Sequence, residues 1–315
     1  MRAVVLNTFG GPEVLQLRDI PVPEAGPGQI RVTVHACGTN PVDAGNRRAG
    51  TWAGIQPPVI LGYDVAGVVD AVGAGVSGFR PGDEVFYMAD FLHNPYGAYA
   101  EYQVVDAAIV AQKPEGLSYV EAAAIPLAAG TAYEVVVRRL GIQPKEWLLL
   151  HGAAGGVGSF AVQIAVARGA RVIAVASAPR HELLYRLGAA ACIDYATQDV
   201  LAVAQQAANG KLDAVADFVG GDTIARSLAA LRPHGRAAGI VSLTGDLDLA
   251  FDSNITVHGV LVRPDRTLLQ ALKDMIETGA LRPIIDEVRP LEDVVAVHQR
   301  LDSGHGQGKV ILKVH

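Results

Sequence analysis

Cysteine is scarce in this chain, whose 315 residues include only Cys37 and Cys192. Neither cysteine lies in a pair with metal-ligand spacing, so the sequence excludes a structural zinc lobe built from four cysteines. A chain with so little cysteine is typical of the reducing cytosol, and we predict a cytoplasmic location.

Basic runs and long apolar runs are also missing. With a net charge of −6 and no cluster of Lys or Arg, the chain is not expected to bind nucleic acid or an anionic membrane. No window approaches the ~20 apolar residues that span a bilayer, and the apolar run within Met1–Asn7 is too short for the apolar core of a secretory signal, so we expect none. Half of the residues are hydrophobic, 18% are charged and 35 are glycine, which is typical of a soluble α/β enzyme with many tight turns.

Short β-like runs broken by glycine and proline fill the first ~120 residues. The clearest of them are Gln29–Cys37, Tyr63–Val72, Asp83–Tyr87 and Ala100–Val105. This pattern predicts a twisted, mainly antiparallel β domain.

The pattern changes near residue 118. Ser118–Leu140 is rich in alanine and helical in pattern, and Ser118 and Glu121 are spaced as a capping box. Strands then alternate with helices from Trp147 to about Val262, which predicts a doubly wound parallel sheet. The predicted domains are a β domain at 1–122, to which 263–315 returns, and an α/β domain at 123–262.

Residues 147–176 form one βαβ unit. A glycine-rich turn at Gly152–Gly158 separates the strand Trp147–His151 from the helix Ser159–Arg168, and a second strand follows at Arg171–Ala176. Small residues let the backbone approach a pyrophosphate, and the helix N-terminus offers it free N–H groups. The unit therefore predicts a dinucleotide site whose phosphate-binding residues are Ala154, Gly155, Gly156 and Val157.

The fingerprint departs from G-x-G-x-x-G at one position, where Ala153 replaces the first glycine. A complete match occurs elsewhere, at Gly73–Gly78. We reject that match because Phe79–Asp83 follows it and contains Pro81, so no helix begins there. A generic glycine-rich turn is the alternative for 152–158, but the whole βαβ context favours a cofactor.

The end of the second strand indicates which dinucleotide is bound. NAD sites place an Asp or Glu about 20 residues past the glycines, and here Ala176–Arg180 contains neither. Ser177 and Arg180 instead suit a 2′-phosphate, which predicts NADP(H). The alternative is that Arg180 merely solvates the start of a helix.

With this domain order, the chain resembles the medium-chain dehydrogenase/reductase superfamily, and most of all its quinone oxidoreductase (zeta-crystallin-like) branch. The resemblance implies a GroES-like catalytic domain, a Rossmann domain and an active-site cleft between them. The segments that carry the resemblance are Ala36–Asp43, Arg48–Trp52, Leu61–Val69, Pro81–Val85, Gly130–Tyr133 and Ala153–Gly158.

The resemblance also implies that the zinc ligands are lost. Zinc-dependent relatives have cysteine where this chain has Asn40, His-Glu where it has Tyr63-Asp64, and a third ligand near Leu127. Without thiolate or imidazole ligands no tetrahedral zinc site forms, so we expect no metal and no Lewis acid for alcohol oxidation. Reduction of an electron-poor acceptor, a quinone or an α,β-unsaturated carbonyl, is the function that the resemblance then implies.

Further residues carry over by likeness. Tyr195 matches a residue beside the adenosine 2′-phosphate, and Asn40 and Thr131 match residues near the nicotinamide. Trp52 stands where the branch usually has tyrosine, in the expected substrate pocket. The loops after later strands are expected to add Phe218, Val219, Ile240 and Ser242 to the cofactor site.

Hydride transfer to such an acceptor develops negative charge on its carbonyl oxygen, and the protein must offer hydrogen-bond donors there. The Asn40 amide and the Tyr63 hydroxyl are our candidates, with Trp52 beside them. Asn40 also precedes Pro41, where it would cap a helix, and both aromatic residues would equally suit a core or a cleft wall. The tyrosines of Asn94–Tyr99, a segment interpreted as a flexible lip, would contact either substrate or solvent.

Two other functions remain open at this stage. An enoyl-thioester reductase would act on crotonyl-type thioesters and not on quinones, and a non-catalytic NADPH-binding protein would bind the cofactor without turnover. The apolar strand Ile255–Val262 predicts edge-to-edge pairing with a second copy, hence a homodimer.

Overall fold

The computed structural model describes residues 1–304 and 306–315. The chain divides into two units. The first comprises Met1–Ala128, Arg263–Thr278 and Pro283–His315, and the second comprises Ala129–Val262 and Gly279–Arg282. No helix in the described part of the chain has the length and apolar character needed to cross a membrane.

The strands are β1 (Arg2–Leu6), β2 (Leu15–Asp19), β3 (Gln29–Gly38), β4 (Val59–Ile60), β5 (Asp64–Val72), β6 (Glu84–Met88), β7 (Tyr102–Asp106), β8 (Ala111–Gln112), β9 (Trp147–His151), β10 (Arg171–Val175), β11 (Ala191–Ile193), β12 (Leu212–Asp217), β13 (Leu231–Gly239), β14 (Thr256–Gly259), β15 (Ile285–Pro290) and β16 (Lys309–Lys313). The α-helices are α1 (Pro41–Ala49), α2 (Tyr119–Ala123), α3 (Pro126–Tyr133), α4 (Gly156–Ala167), α5 (His181–Arg186), α6 (Val200–Ala208), α7 (Thr223–Ser227), α8 (Asp248–Asp252), α9 (Arg266–Glu277) and α10 (Val294–Ser303).

The first unit is organised around a mainly antiparallel sheet in the order β15-β16-β3-β5-β6-β8, with β7 also paired to β3. The long strand β3 holds it together, since it pairs with β5, β7 and β16. Its residues Ile30, Val32, Val34 and Ala36 are buried in strict alternation, which is the period-2 pattern of a sheet with one face on a core. A second, three-stranded sheet has the order β2-β1-β4.

The second unit is a six-stranded parallel sheet in the order β11-β10-β9-β12-β13-β14. Its central strand β9 carries the uninterrupted buried run Leu148–Leu150, as expected for a strand covered on both faces by helices. The first strand of this sheet in the sequence, β9, lies in its middle. The next strands, β10 and β11, are added on one side of β9, and β12, β13 and β14 are then added on the other side. The predicted fold class, a doubly wound Rossmann sheet with a GroES-like β domain, is confirmed.

Several predicted boundaries were wrong. Ser118–Leu140 is not one helix: it breaks before Pro126, which cannot continue a helix, and ends in a π-helix at Glu134–Arg139. Helix α4 begins at Gly156, three residues before the predicted start, because the glycines supply its first turn. The literal match at Gly73–Gly78 lies in the turn between β5 and β6, with no helix, as predicted.

Candidate functional site

The glycine-rich turn joins the carboxyl end of β9 to α4. Gly152 adopts the left-handed conformation at φ +72°, and Gly155 is the N-cap residue of α4. That N-cap has no side-chain capping bond, so the first turn of α4 presents backbone N–H groups at a partly exposed position. This is the geometry in which a helix N-terminus binds a phosphate group.

Close backbone packing fixes the shape of the turn. A Cβ atom on Gly158 would lie 2.2 Å from the Gly152 carbonyl oxygen, so only glycine fits there. The Gly155 N–H donates to the same oxygen at 3.2 Å, and the Ala153 N–H donates to the Val175 carbonyl at 3.1 Å. The turn is therefore anchored to β10 and has no room for larger side chains at its narrowest point.

Ser177, Arg180 and Tyr195 follow the two strands on one side of β9. Val175 and Ile193 are paired in register at the ends of β10 and β11, and Ser177 and Tyr195 each come two residues later. Ser177 and Arg180 are partly exposed, and the Tyr195 side chain is 63% exposed. The strand predicted to run to Tyr195 ends at Ile193, which leaves this ring in the loop beyond the sheet edge.

On the other side of β9, a buried carboxylate shapes the loop after β12. Asp217 accepts hydrogen bonds from the Val219 N–H at 2.8 Å and the Gly220 N–H at 3.0 Å. Burial raises the pKa of Asp217, while these two donors oppose the shift. The Val219 side chain is turned outward and 61% exposed, beside half-buried Phe218. Sequence reasoning missed Asp217, although an acid directly after the apolar residues 214–216 was a usable signal.

The loops after β12 and β13 are joined through a predicted cofactor residue. The Gly221 N–H donates to Ser242 Oγ at 2.8 Å, and the Thr244 N–H donates to the Gly221 carbonyl. Ile240 lies at the start of the second loop and is partly buried.

The carboxyl ends of parallel strands share one edge of a sheet, so the structure brings together all but two of the predicted cofactor residues. Those at this edge are Ala154, Gly155, Gly156, Val157, Ser177, Arg180, Tyr195, Phe218, Val219, Ile240 and Ser242. Thr131 lies buried within α3, and Asn40 belongs to the first unit. A tight turn that admits only glycine at position 158, next to an uncapped helix N-terminus, fits the pyrophosphate of a dinucleotide.

Asn40 lies in a buried cluster with a cation and an anion. The exposed fractions of Asn40, Asp64 and Lys309 are 3%, 0% and 3%. The Asn40 amide nitrogen donates to Asp64 Oδ2 at 2.9 Å, and its oxygen accepts from the Lys309 ammonium. Lys309 also donates to Asp64 Oδ2 at 3.0 Å and to the Thr39 carbonyl at 2.9 Å. All three ammonium hydrogens therefore have acceptors.

The other Asp64 oxygen is bound as well. Asp64 Oδ1 accepts from the Leu127 N–H at 2.6 Å. Asn40 is the N-cap residue of α1, and its backbone N–H donates to Asp43 Oδ2 at 2.7 Å. Asn40 is thus the N-cap residue of α1, and its side-chain amide also binds Lys309 and Asp64. Sequence reasoning missed Lys309, although a lysine opening the apolar strand β16 was a visible signal.

The side chains of Tyr63 and Trp52 contact other partners than this cluster. The Tyr63 side chain is fully buried, its hydroxyl accepts from the Asn46 amide at 2.8 Å, and its ring packs edge-on against Phe91. Burial raises the pKa of the Tyr63 hydroxyl above its usual value. Trp52 is 55% exposed, and its ring is tilted against the Phe91 ring, with the two ring centroids 6.3 Å apart. Their roles at a substrate stay predictions, since no hydrogen bond among the described residues links either side chain to Asn40.

A second buried series of hydrogen bonds connects α1 with α10. Arg47 donates to His298 Nδ1 at 3.1 Å, so the ring proton lies on Nε2 and points to the Tyr99 hydroxyl at 3.2 Å. Tyr99 then donates to Asp43 Oδ2 at 2.9 Å. Burial and the neighbouring Arg47 lower the pKa of His298 to about 3, so the ring is neutral. The expectation that Tyr99 faces substrate or solvent was wrong, because the ring is fully buried.

Asp43 makes the stability of the fold depend on pH. Burial raises the pKa of Asp43 from 3.8 to about 7, so the folded chain holds a proton that the unfolded chain releases. Stability from this group is therefore lost as pH rises from about 4 to 7. Asp43→Asn does not titrate and keeps an oxygen that accepts from the Asn40 N–H and the Tyr99 hydroxyl. Between pH 5 and 8, the free energy of unfolding of wild type should fall by about 2–3 kcal/mol relative to that of this variant.

Urea unfolding of both proteins across this pH range measures the difference directly. The D43N comparison cancels the titration of every other group, including His298. A constant difference between the two proteins would show that Asp43 is already ionised at pH 5.

Within residues 1–304 and 306–315, no three side chains of His, Cys, Asp or Glu lie where they could hold a metal ion together.

Two family descriptions match the chain. Residues 26–115 match the alcohol dehydrogenase GroES-like domain, and residues 187–312 match the zinc-binding dehydrogenase family. The quinone oxidoreductase of Homo sapiens is 33% identical, over 99% of this chain and 97% of its own length. The chloroplastic NADPH-dependent alkenal/one oxidoreductase of Arabidopsis thaliana is 34% identical, over 99% of this chain and 79% of its own length.

Solved structures give the same picture. The quinone oxidoreductase of Coxiella burnetii superposes with a TM-score of 0.93 at 33% identity, covering 100% of this chain and 99% of its own. The Escherichia coli quinone oxidoreductase, solved in complex with NADPH, superposes with a TM-score of 0.90 at 30% identity and covers both chains fully. With relatives of this similarity over its whole length, the chain belongs to the medium-chain dehydrogenase/reductase superfamily, in its quinone oxidoreductase (zeta-crystallin-like) branch.

Proposed function

We propose that this protein is an NADPH-dependent oxidoreductase that reduces a quinone or an α,β-unsaturated carbonyl compound without zinc. The observation that carries the proposal is the Asn40 amide. It is buried and held between Lys309 and Asp64, at a position where zinc-dependent relatives have a metal ligand. A fixed amide N–H is a hydrogen-bond donor for a developing oxyanion.

The cofactor assignment is supported by the sheet edge described above. The uncapped N-terminus of α4 suits a pyrophosphate, and Ser177 with Arg180 suits a 2′-phosphate. The names of two relatives agree, since one is an NADPH-dependent alkenal/one oxidoreductase and another was crystallised with NADPH.

When bound, NADPH supplies a hydride to a carbon of the acceptor, and the electron pair moves to the carbonyl oxygen. Asn40 donates a hydrogen bond to that oxygen, and solvent supplies the proton that completes the reduction. Such a donor is worth about 3 kcal/mol when it is already oriented before the reaction. Trp52 and Tyr63 are proposed to shape the pocket for the acceptor.

The absence of zinc is proposed from ligand chemistry. Asn40, Tyr63 and Leu127 carry no thiolate or imidazole, and the carboxylate of Asp64 is already bound by Lys309 and the Leu127 N–H. The segment that matches the zinc-binding dehydrogenase family, 187–312, includes none of these four positions.

Arg180→Ala tests the cofactor assignment. Wild type should oxidise NADPH in preference to NADH with quinones and enones. The variant should have a higher KM for NADPH but not for NADH, and its preference for NADPH should be about 10- to 100-fold smaller. The size follows because a charge-assisted hydrogen bond to phosphate is worth about 1.5–3 kcal/mol. Steady-state kinetics with both cofactors give the ratio.

Arg186→Ala is the matched control for that experiment. Arg186 is the last residue of α5, whose N-cap residue is Arg180; it is mostly exposed and pairs with Glu182, so its removal should leave the preference unchanged. An R180A enzyme with wild-type cofactor preference would contradict the assignment. Turnover of crotonyl-type thioesters but not quinones would instead favour an enoyl-thioester reductase, and tight NADPH binding without any turnover would favour a non-catalytic protein.

We further propose a homodimer, formed along the predicted strand region 255–262. In the fold, β14 stands at the end of the strand order, and its residues are exposed or partly exposed. A cytoplasmic location remains the proposal drawn from the low cysteine content.

A further inference from the structure

We propose that Lys309 is a positioning residue for the reduction: its buried ammonium fixes which way the Asn40 amide faces. This inference rests on the proposed function of Asn40. It adds a residue from the opposite end of the chain that no sequence motif singled out.

The charges on the two sides of Asn40 leave its amide one orientation. Its oxygen faces the Lys309 ammonium and its nitrogen faces the Asp64 carboxylate. A flipped amide would place N–H donors against an ammonium and an oxygen against a carboxylate, so both contacts would become repulsive. Asp64 takes one of the two amide hydrogens, and the second keeps a fixed direction for another acceptor.

The same contacts polarise the amide. A cation bound to the carbonyl oxygen draws electron density from the nitrogen, which makes the remaining N–H a stronger donor. The effect is larger in a buried cluster than in water, and all three side chains here are 0–3% exposed. Lys309 is therefore placed to improve both the direction and the strength of the donor.

Stability alone gives a weak reason for this cluster. Burying a lysine and an aspartate costs desolvation that their attraction only partly offsets, and apolar or neutral replacements are often as stable. The pair with Asp64 also does more than neutralise charge, since the same ammonium binds the Thr39 carbonyl directly before Asn40. Lys309 thus fixes both the backbone and the side chain at the start of α1.

Two variants separate positioning from structural support. Lys309→Met alone leaves Asp64 buried without its cation and should be strongly destabilised. The double variant K309M/D64N removes both charges, keeps the acceptor for the Leu127 N–H and should recover most of the lost stability. In both variants the amide of Asn40 is no longer held by opposite charges.

The kinetic test uses NADPH with 3-nonen-2-one and with 9,10-phenanthrenequinone. K309M/D64N should lower kcat about tenfold, part of the 10²- to 10³-fold cost of losing an oxyanion donor outright, with KM for NADPH unchanged. In an Asn40→Ala background the same two substitutions should change kcat less than about twofold, because the group they position is gone. A double variant with wild-type kcat, or an equal loss with and without Asn40, would overturn the inference.

A readout independent of turnover separates this inference from the proposed function. Crystal structures of wild type and K309M/D64N should show one Asn40 rotamer in the former and a rotated or divided side chain in the latter. An Asn40 side chain that is identical in both would overturn the inference, whatever the acceptor. A wild-type protein that reduced none of the acceptors would overturn the proposed function, and the Asn40 rotamer would still decide the role of Lys309.

Discussion

Gly158→Ala is expected to abolish measurable NADPH binding, with a loss of affinity of at least about 100-fold, or 2.7 kcal/mol. The added Cβ would lie 2.2 Å from the Gly152 oxygen and 2.7 Å from Ala153 backbone atoms. Because these neighbours are backbone atoms of the same turn, relief requires the whole turn to change shape. The N–H groups at the start of α4 would then lose their common direction.

Gly155→Ala provides the matched comparison within the same turn. A Cβ on Gly155 would meet only the Gly152 oxygen, at 3.4 Å, and the backbone angles of φ −73° and ψ 179° suit alanine. G155A should therefore keep wild-type thermal stability and bind NADPH more weakly, whereas G158A should lose both stability and binding. Isothermal titration with NADPH and thermal unfolding without it measure the two effects. A G158A protein that bound NADPH within twofold of wild type would rule out this turn as the pyrophosphate site.

Arg47→Met is expected to lower the free energy of unfolding by about 2–4 kcal/mol. The Arg47 side chain is fully buried and donates to the Gly10 carbonyl, to His298 and to Asp302. Methionine fills similar volume but leaves the buried His298 ring nitrogen and the partly buried Gly10 carbonyl without their donor. An unpaired buried acceptor costs about 1–3 kcal/mol, which sets the size of the effect.

Arg48→Met is the control, because Arg48 binds the other oxygen of Asp302 from a side chain that is 54% exposed. An exposed ion pair of this kind is worth up to about 1 kcal/mol, so R48M should be close to wild type. The chain has two tryptophans, and in a Trp147→Phe background the fluorescence of Trp52 reports on the first unit alone during guanidinium unfolding. Equal unfolding free energies for R47M and R48M would contradict the role assigned to the buried guanidinium.

The nucleotide-binding part of the fold could be predicted because its determinants are local. One continuous stretch from Trp147 to Ala176 contains the strand, the turn, the helix and the next strand. Period, glycine spacing and the end of the second strand are all visible within those residues. Ser177 and Arg180 directly follow this stretch, so the sequence alone also predicts them as ligands of the 2′-phosphate.

The cluster around Asn40 could be predicted only in part. Asn40 itself was found by resemblance, but Lys309 lies 269 residues away and meets it only because β16 pairs with β3. The residue pattern within one strand does not predict which distant strand it pairs with or in which register. The hydrogen bond from Arg47 to His298 could not be predicted for the same reason, since it connects α1 with α10.

Helix breaks were predicted poorly for a different reason. Alanine-rich residues from 118 to 140 favour helix throughout, and this local preference concealed the boundary at Pro126. Proline is tolerated in the first turn of a helix, so it restarts one as readily as it ends one. The π-helix that follows carries no pattern that distinguishes it from an α-helix.

Hydride transfer without metal is the central claim, and deuterium transfer in chelator-treated protein tests it most directly. With NADPH that carries deuterium at both C4 positions, the account predicts one deuterium on the reduced carbon of the enone for each NADPH oxidised, and chelation should remove no activity. A product without deuterium, or a rate that disappears with the chelator and returns with zinc, would contradict it.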